Sequence, residues 1–430
     1  MSGVPTKVAR NPRLWPLFAC VAIVMTGVGI TITTLPFYAE RLALAEGVPP
    51  ARIALHVTAL TAIYVVMHLA FAPLWGRLSD RVGRRPLIIL GIAGFAASQI
   101  LFGLATSTPL LYAARAFGGA VSAALLPAVG AYIADVTLEK DRARSMAGLG
   151  TAIGVGTLIG PALGGALVGR EIHLELTVGS LHFDAFSLPF FAAAGLSIVA
   201  ALAALRALPV RSSRNVLEHE STAHERTARD RSLAPLLVVA AAAQLGIMVF
   251  ESTFALFAKE RLGFGPTATG IAFTWCGAVM IPAQFAGVAL ARKLGDRRQI
   301  AAGFVLMAVG LASLNFAAGV ASLAVAVTLL AAGMAFIVPA VSALVSKRAR
   351  AGTGRALGRL SAAQSSGQIT GAILGGALFA WSDKAAYFLG AALMAIVGAA
   401  LVAGTVTAVG ADRGAGERAL DPNNDDGSAV

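Results

Sequence analysis

Long apolar runs, separated by short breaks rich in polar residues, Gly and Pro, follow one another along almost the whole chain. They fall at about 14–38, 53–75, 87–106, 109–135, 145–168, 187–207, 233–258, 269–291, 300–318, 322–345, 360–380 and 385–409. Roughly 20 apolar residues in helical form cross a hydrocarbon core of about 30 Å. Lipid offers no partner for unpaired backbone groups, so such runs span as helices. The pattern predicts an all-α membrane protein with 12 transmembrane helices.

Composition agrees. Of 430 residues, 57% are hydrophobic and 13% charged, and the mean hydropathy is +0.77; a soluble domain carries roughly twice that charged fraction. The net charge of +12 points to no nucleic-acid partner, because the basic residues sit in short loops rather than on one folded surface. Most of those loops, including Arg77, Arg81, Arg84 and Arg85, the run 292–298 and the run 347–359, lie on the amino-terminal side. The positive-inside rule then places both termini in the cytoplasm, for a multi-pass protein of the inner membrane. The first run is too long for a signal-peptide core. Cys20 and Cys276 both fall inside apolar runs, which indicates neither a disulfide framework nor a metal site. With no nucleotide-binding loop, no metal-ligand spacing and no paired carboxylates within a span, the sequence points to neither an enzyme nor an ATP-driven pump, and to no cofactor.

One long polar interruption, at 209–232, divides the chain near its midpoint. It separates an expected amino-terminal half at 1–208 from a carboxy-terminal half at 233–409, and the polar stretch 410–430 has the composition of a disordered tail. The halves resemble each other. Gly76-Arg77-Leu78-Ser79-Asp80-Arg81 after the second run matches Arg292-Lys293-Leu294-Gly295-Asp296-Arg297 after the eighth. Gly160-Pro161-Ala162-Leu163-Gly164-Gly165 in the fifth matches Gly371-Ala372-Ile373-Leu374-Gly375-Gly376 in the eleventh, and Glu40-Arg41-Leu42 matches Glu260-Arg261-Leu262. Six runs per half is an even number, so the halves are parallel repeats about an axis along the membrane normal. In transporters of this symmetry the substrate binds near the midplane between halves that rock against each other.

Small residues recur every four positions in the fifth run, at Gly148, Ala152, Gly156, Gly160 and Gly164, and Gly150 and Gly154 add a second row. Ala363, Gly367, Gly371 and Gly375 repeat this in the eleventh. Such a face lets another helix approach closely in lipid, either as a generic tight contact or as a sliding surface.

On these residues the chain resembles the major facilitator superfamily. Gly76-Arg77-Leu78-Ser79-Asp80-Arg81-Val82-Gly83-Arg84-Arg85-Pro86 is similar to the superfamily's loop signature between its second and third helices. The stretch Gly156 to Gly165, with Gly160-Pro161 at its centre, resembles the fifth-helix signature of drug:proton antiporters. Leu111, Arg115 and Gly119 resemble the fourth-helix signature, and Ala131 to Val136 followed by Asp141-Arg142-Ala143-Arg144 looks most like the tetracycline-efflux branch. The resemblance spans about residues 14–409. It implies a drug exporter driven by protons, and a gate in which Gly76, Asp80, Arg81, Gly83, Arg84 and Arg85 act with Asp135, and Asp296 in the second half; a monomer is the expected state.

A turn dense in arginine beside Asp80 and Asp135 can also form a state-dependent lattice of ion pairs without any appeal to resemblance. Arg115 and Glu251 are the charges that lie clearly within runs, each roughly 10 Å below the outer surface at 1.5 Å per residue. Intramembrane charges are costly and mark function. Burial disfavours a carboxylate and a nearby cation restores it, so protonation and drug binding can compete. Glu251 is therefore the expected proton carrier with Arg115 as its electrostatic tuner; the alternative is a structural hydrogen bond near the headgroups. Thr34, Gln244, Phe250, Phe254 and Gln364 are the expected cavity residues. Tetracycline exporters carry acids in several helices of the first half, whereas here the first, third and ninth runs hold none. A neutral or cationic lipophilic drug suits this chain better. A metabolite permease of the same fold is the rival reading.

Overall fold

The computed structural model describes residues 14–137, 139–169, 176–178, 181–183, 186–208, 223–348 and 353–403. The side chain of Asp80 and the expected tail at 410–430 lie outside the described residues.

The first half comprises α1 (Trp15–Ala45), α2 (Pro50–Val82), α3 (Arg84–Gly103), α4 (Thr108–Ser122), α5 (Leu125–Val136), α6 (Glu139–Gly169), β1 (Leu176–Val178), β2 (Leu181–Phe183) and α7 (Leu188–Ala207). The second comprises α8 (Ala223–Leu262), α9 (Pro266–Leu294), α10 (Asp296–Leu314), α11 (Val320–Arg348), α12 (Thr353–Trp381) and α13 (Asp383–Ala403). The fourth apolar run is thus two helices, broken at Ala123 and Ala124, and the strands form a small antiparallel hairpin that pairs Leu176 with Phe183.

Among the described residues, eleven segments are long and apolar enough to cross a membrane, with α4 and α5 counted as one. The helix α12 is as long as α9, 29 residues, but Gln364, Ser365, Ser366, Gln368 and Thr370 lower its hydropathy. It completes twelve.

Two expected boundaries move. The stretch Gly76 to Arg81, expected as a loop, forms the last turns of α2. The break comes at Gly83, whose φ of 94° belongs to glycine. The expected linker 209–232 gives way to α8 at Ala223.

Each half is a helix bundle around a spine of two helices. In the first, α6 lies along α1; in the second, α12 lies along α8. The halves meet through α6 against α9 and α12 against α2, a pseudo-twofold arrangement that the sequence repeat requires.

Candidate transport path and gate

The glycine rows do two different jobs. A Cβ at Gly156 would sit 2.5 Å from Met25 Cβ, one at Gly160 would sit 2.7 Å from Gly29 Cα, and one at Gly164 would sit 2.9 Å from the Ile30 carbonyl, all on α1. In the second half Gly367, Gly371 and Gly375 face Ala241, Leu245 and Val249 of α8 in the same way. This four-residue row is therefore a spine inside each half, not the surface along which the halves slide. The adjoining positions face the other half. A Cβ at Gly165 would meet the Pro266 carbonyl oxygen at 2.7 Å, Thr267 Oγ1 donates to the Gly165 carbonyl at 2.9 Å, and the Pro161 carbonyl abuts Gly270. Gly376 lies against Thr58 of α2. One helix face holds the half together while the neighbouring face meets its partner, because residues i and i+1 point about 100° apart on a helix.

The halves are linked at the same end by an ion pair, Lys259 Nζ to Glu40 Oε2 at 2.5 Å. Further along, Leu158 packs on Gly277, and beyond it Gly154 and Gly150 have nothing within 4 Å. The helices α6 and α9 thus part toward the other end.

At that other end lies the expected gate. Arg84, first residue of α3, pairs with Asp135 of α5, Nε to Oδ2 at 3.1 Å, and donates to Ser79 Oγ at 3.1 Å. Arg85 donates to the Leu205 carbonyl at 2.5 Å. Arg77 and Arg81 are exposed, and Gly76 has open space around it.

Asp296 does not stand where Asp80 stands. Gly83 and Gly295 share one backbone conformation, φ 94° with ψ 163° and φ 87° with ψ 157°, and each ends the helix before it. Arg85 and Arg297, two residues on, both cap a carbonyl of the last helix of their half, Leu205 and Leu401. Asp296 thus occupies the place of Arg84, and Arg292 that of Asp80. The helix α9 is one turn shorter than α2, 29 residues against 33, so a match by residue identity slips by four.

Arg115 of α4 donates through Nε to the Leu60 carbonyl of α2 at 3.2 Å, and its guanidinium lies over Tyr64, 4.6 Å from the ring centroid, and 5.7 Å from that of Phe102. Tyr64 Oη in turn bonds Ser122 Oγ at 2.9 Å. Glu251 of α8 is partly buried, beside the Cys276 thiol of α9, and its carboxylate has no hydrogen-bond or ion-pair partner among the described residues. Arg115 and Glu251 therefore occupy separate halves without forming a pair.

The expected cavity residues divide. Gln244 and Gln368 bond each other at 3.2 Å between α8 and α12, with Gln364 one turn away and partly exposed. Thr34 is fully buried and spends its hydroxyl on the Ile30 carbonyl at 2.8 Å. Phe250 and Phe254 are fully buried, packed on each other and on Phe273 with centroids 4.7–5.8 Å apart. These three are core, not lining. Sequence reasoning missed Tyr64 and the Glu40–Lys259 link; the repeated Glu-Arg-Leu triplet was the signal for the latter.

The family model of the Major Facilitator Superfamily matches residues 17–265 and 236–419. The chain belongs to this superfamily. It is a multi-pass membrane transporter and not an enzyme. Among superfamily members, it is 31% identical over 382 residues to multidrug resistance protein 1 of Bacillus subtilis (strain 168), covering 86% of this chain and 90% of that one. It is 29% identical over 392 residues to the class D tetracycline resistance protein of Salmonella ordonez, with 88% and 95% covered. Solved facilitator structures share the fold. A peptide transporter in complex with sulfate superposes with a TM-score of 0.75 at 14% identity, covering 95% of this chain and 99% of that one. A bacterial homolog of the human lysosomal transporter Spinster, inward-facing and unoccupied, gives 0.68 at 19%, covering 92% and 97%.

Proposed function

We propose that the protein exports small lipophilic or amphipathic drugs across the inner membrane in exchange for protons, by alternating access between halves 1–208 and 233–409. In this reading both termini are cytoplasmic, the Glu40–Lys259 end is external, and the chain rests inward-facing. The observation that carries it is the one-sided closure. Gly165, Thr267, Glu40 and Lys259 join the halves at one end, while Gly150 and Gly154 face open space toward the other. The likeness to multidrug and tetracycline resistance proteins supports export as the direction.

Glu251 is the coupling acid in this scheme. A carboxyl group without a partner exchanges its proton with whatever water or cation reaches it, and a bound proton and a bound drug cation exclude each other by charge. Arg115, held by Tyr64 and Leu60, sets the potential of the cavity from the opposite half. Gln244, Gln364 and Gln368 supply the polar contacts of an otherwise apolar wall.

The test is a drug-susceptibility panel in an efflux-deficient host, paired with transport in proteoliposomes. Expression of the wild type raises tolerance to at least one lipophilic compound, and Glu251→Gln loses transport driven by a pH gradient while keeping substrate exchange. No shift for any compound overturns the export reading. Intact gradient-driven transport by Glu251→Gln overturns the role of that acid.

A further inference from the structure

A cavity of about 650 Å³ opens on the outer flank of the second half, away from the path between the halves. Arg297 and Arg298 stand at its polar end, Ala301 and Ala302 form its floor, and Leu401 and Val402 of α13 its far wall. Val402 is 71% exposed, which gives the wall an apolar outer face.

The polar end is cationic. Arg297 spends Nε on the Leu401 carbonyl at 2.6 Å and one terminal nitrogen on the Val402 carbonyl at 3.2 Å, which fixes the guanidinium and leaves donors to spare. Arg298 is exposed and has no acid partner among the described residues. Arg292 and Lys293 end α9, and Asp296 begins α10.

The first half lines the corresponding place with different residues although it shares the fold. Aligned on Gly83 and Gly295, Arg297 corresponds to Arg85, which also caps the last helix of its half. Arg298, however, corresponds to Pro86, and Ala301 and Ala302 to Ile89 and Leu90. On the same alignment Val305 and Leu306 stand where the first half has Ala93 and Gly94, and with Leu401 set on Leu205, Val402 stands where it has Arg206. In the second half the cation and the small side chains thus both lie next to Arg297 on α10.

We propose that this cavity seats an anionic phospholipid, its phosphate on Arg298 and the spare edge of Arg297 and one acyl chain over Ala301 and Ala302. Basic pockets between helices at the membrane face hold such headgroups, at about 1 kcal/mol per cation.

The test uses the full chain in detergent, with lipid retained after purification measured by native mass spectrometry and melting followed on adding phosphatidylglycerol, phosphatidylcholine or inorganic phosphate. The wild type retains phosphatidylglycerol and is stabilised by it above the other two. Arg298→Gln binds it about fivefold more weakly. Ala302→Leu, which fills the floor of the groove, loses the bound lipid, with an unchanged circular dichroism spectrum to show that it folds. Equal retention of phosphatidylcholine, stabilisation by inorganic phosphate alone, retention unchanged in both variants, or a second copy of the chain in place of lipid each overturns the proposal.

Discussion

Lys259 of α8 reaches across to Glu40 of α1 and ties the two halves together at one end. The repeat that supplies Glu40 and Glu260 at like positions does not supply the cation twice. Lys259 follows the helix at the place where the first half has Ala39, which is buried. The repeat therefore does not double this ion pair, and the state in which that end is closed owes it a small increment.

Lys259→Ala should move the balance toward the state open at this end. The lysine is 45% exposed and the glutamate 16%, so the pair is worth ~0.2–1 kcal/mol, up to about a fivefold change in population. Distances between spin labels placed at the Glu40 end of the two halves check this. Exchanging the charges, Glu40→Lys with Lys259→Glu, should restore the wild-type distribution, and high salt should weaken the effect.

Substitutions in the glycine-rich α6 should separate into three outcomes. Gly165→Leu drives its side chain into the backbone of Pro266, so that end cannot close, and transport is lost while the halves still fold. Gly160→Leu strikes Gly29 inside one half and should cost about 1–3 kcal/mol or more of stability through overpacking. Gly154→Ala meets nothing within 4 Å and should leave the melting temperature unchanged or slightly raised. Thermal unfolding and transport assays on the three variants distinguish them.

Arg84→Gln and Asp135→Asn should each loosen α3 from α5 within the first half, seen as a lower melting temperature and weaker transport, and the double variant should be no worse than the poorer single one, because both remove one ion pair. The same assay sets Asp296 apart. Standing in the place of Arg84, it has no ion pair among the described residues, so Asp296→Asn should transport like the wild type.

Arg115→Lys keeps the charge yet loses the planar stack on Tyr64 and the Nε donor to Leu60. A desolvated contact of this kind is worth about 2 kcal/mol. Tyr64→Leu should lower the stability by a similar amount, read from thermal unfolding, and the two changes together should fall short of additive.

The sequence by itself determined the membrane class, the twelve spans, the parallel repeat and the family, because each follows from local rules: length against bilayer thickness, hydropathy, and short motifs. It located Glu251, Arg115 and the Arg84–Asp135 neighbourhood for the same reason, since a charge in an apolar run is conspicuous without any coordinates. Tertiary structure alone decided which way side chains point. Hydropathy cannot tell a helix face packed on another helix from one packed on lipid or open to a cavity, since all three are apolar. That is why Phe250, Phe254 and Thr34 turned out to be core, why Gly156, Gly160 and Gly164 serve the inside of one half while Gly165 meets the other, and why a missing turn in α9 hid the true counterpart of Asp80.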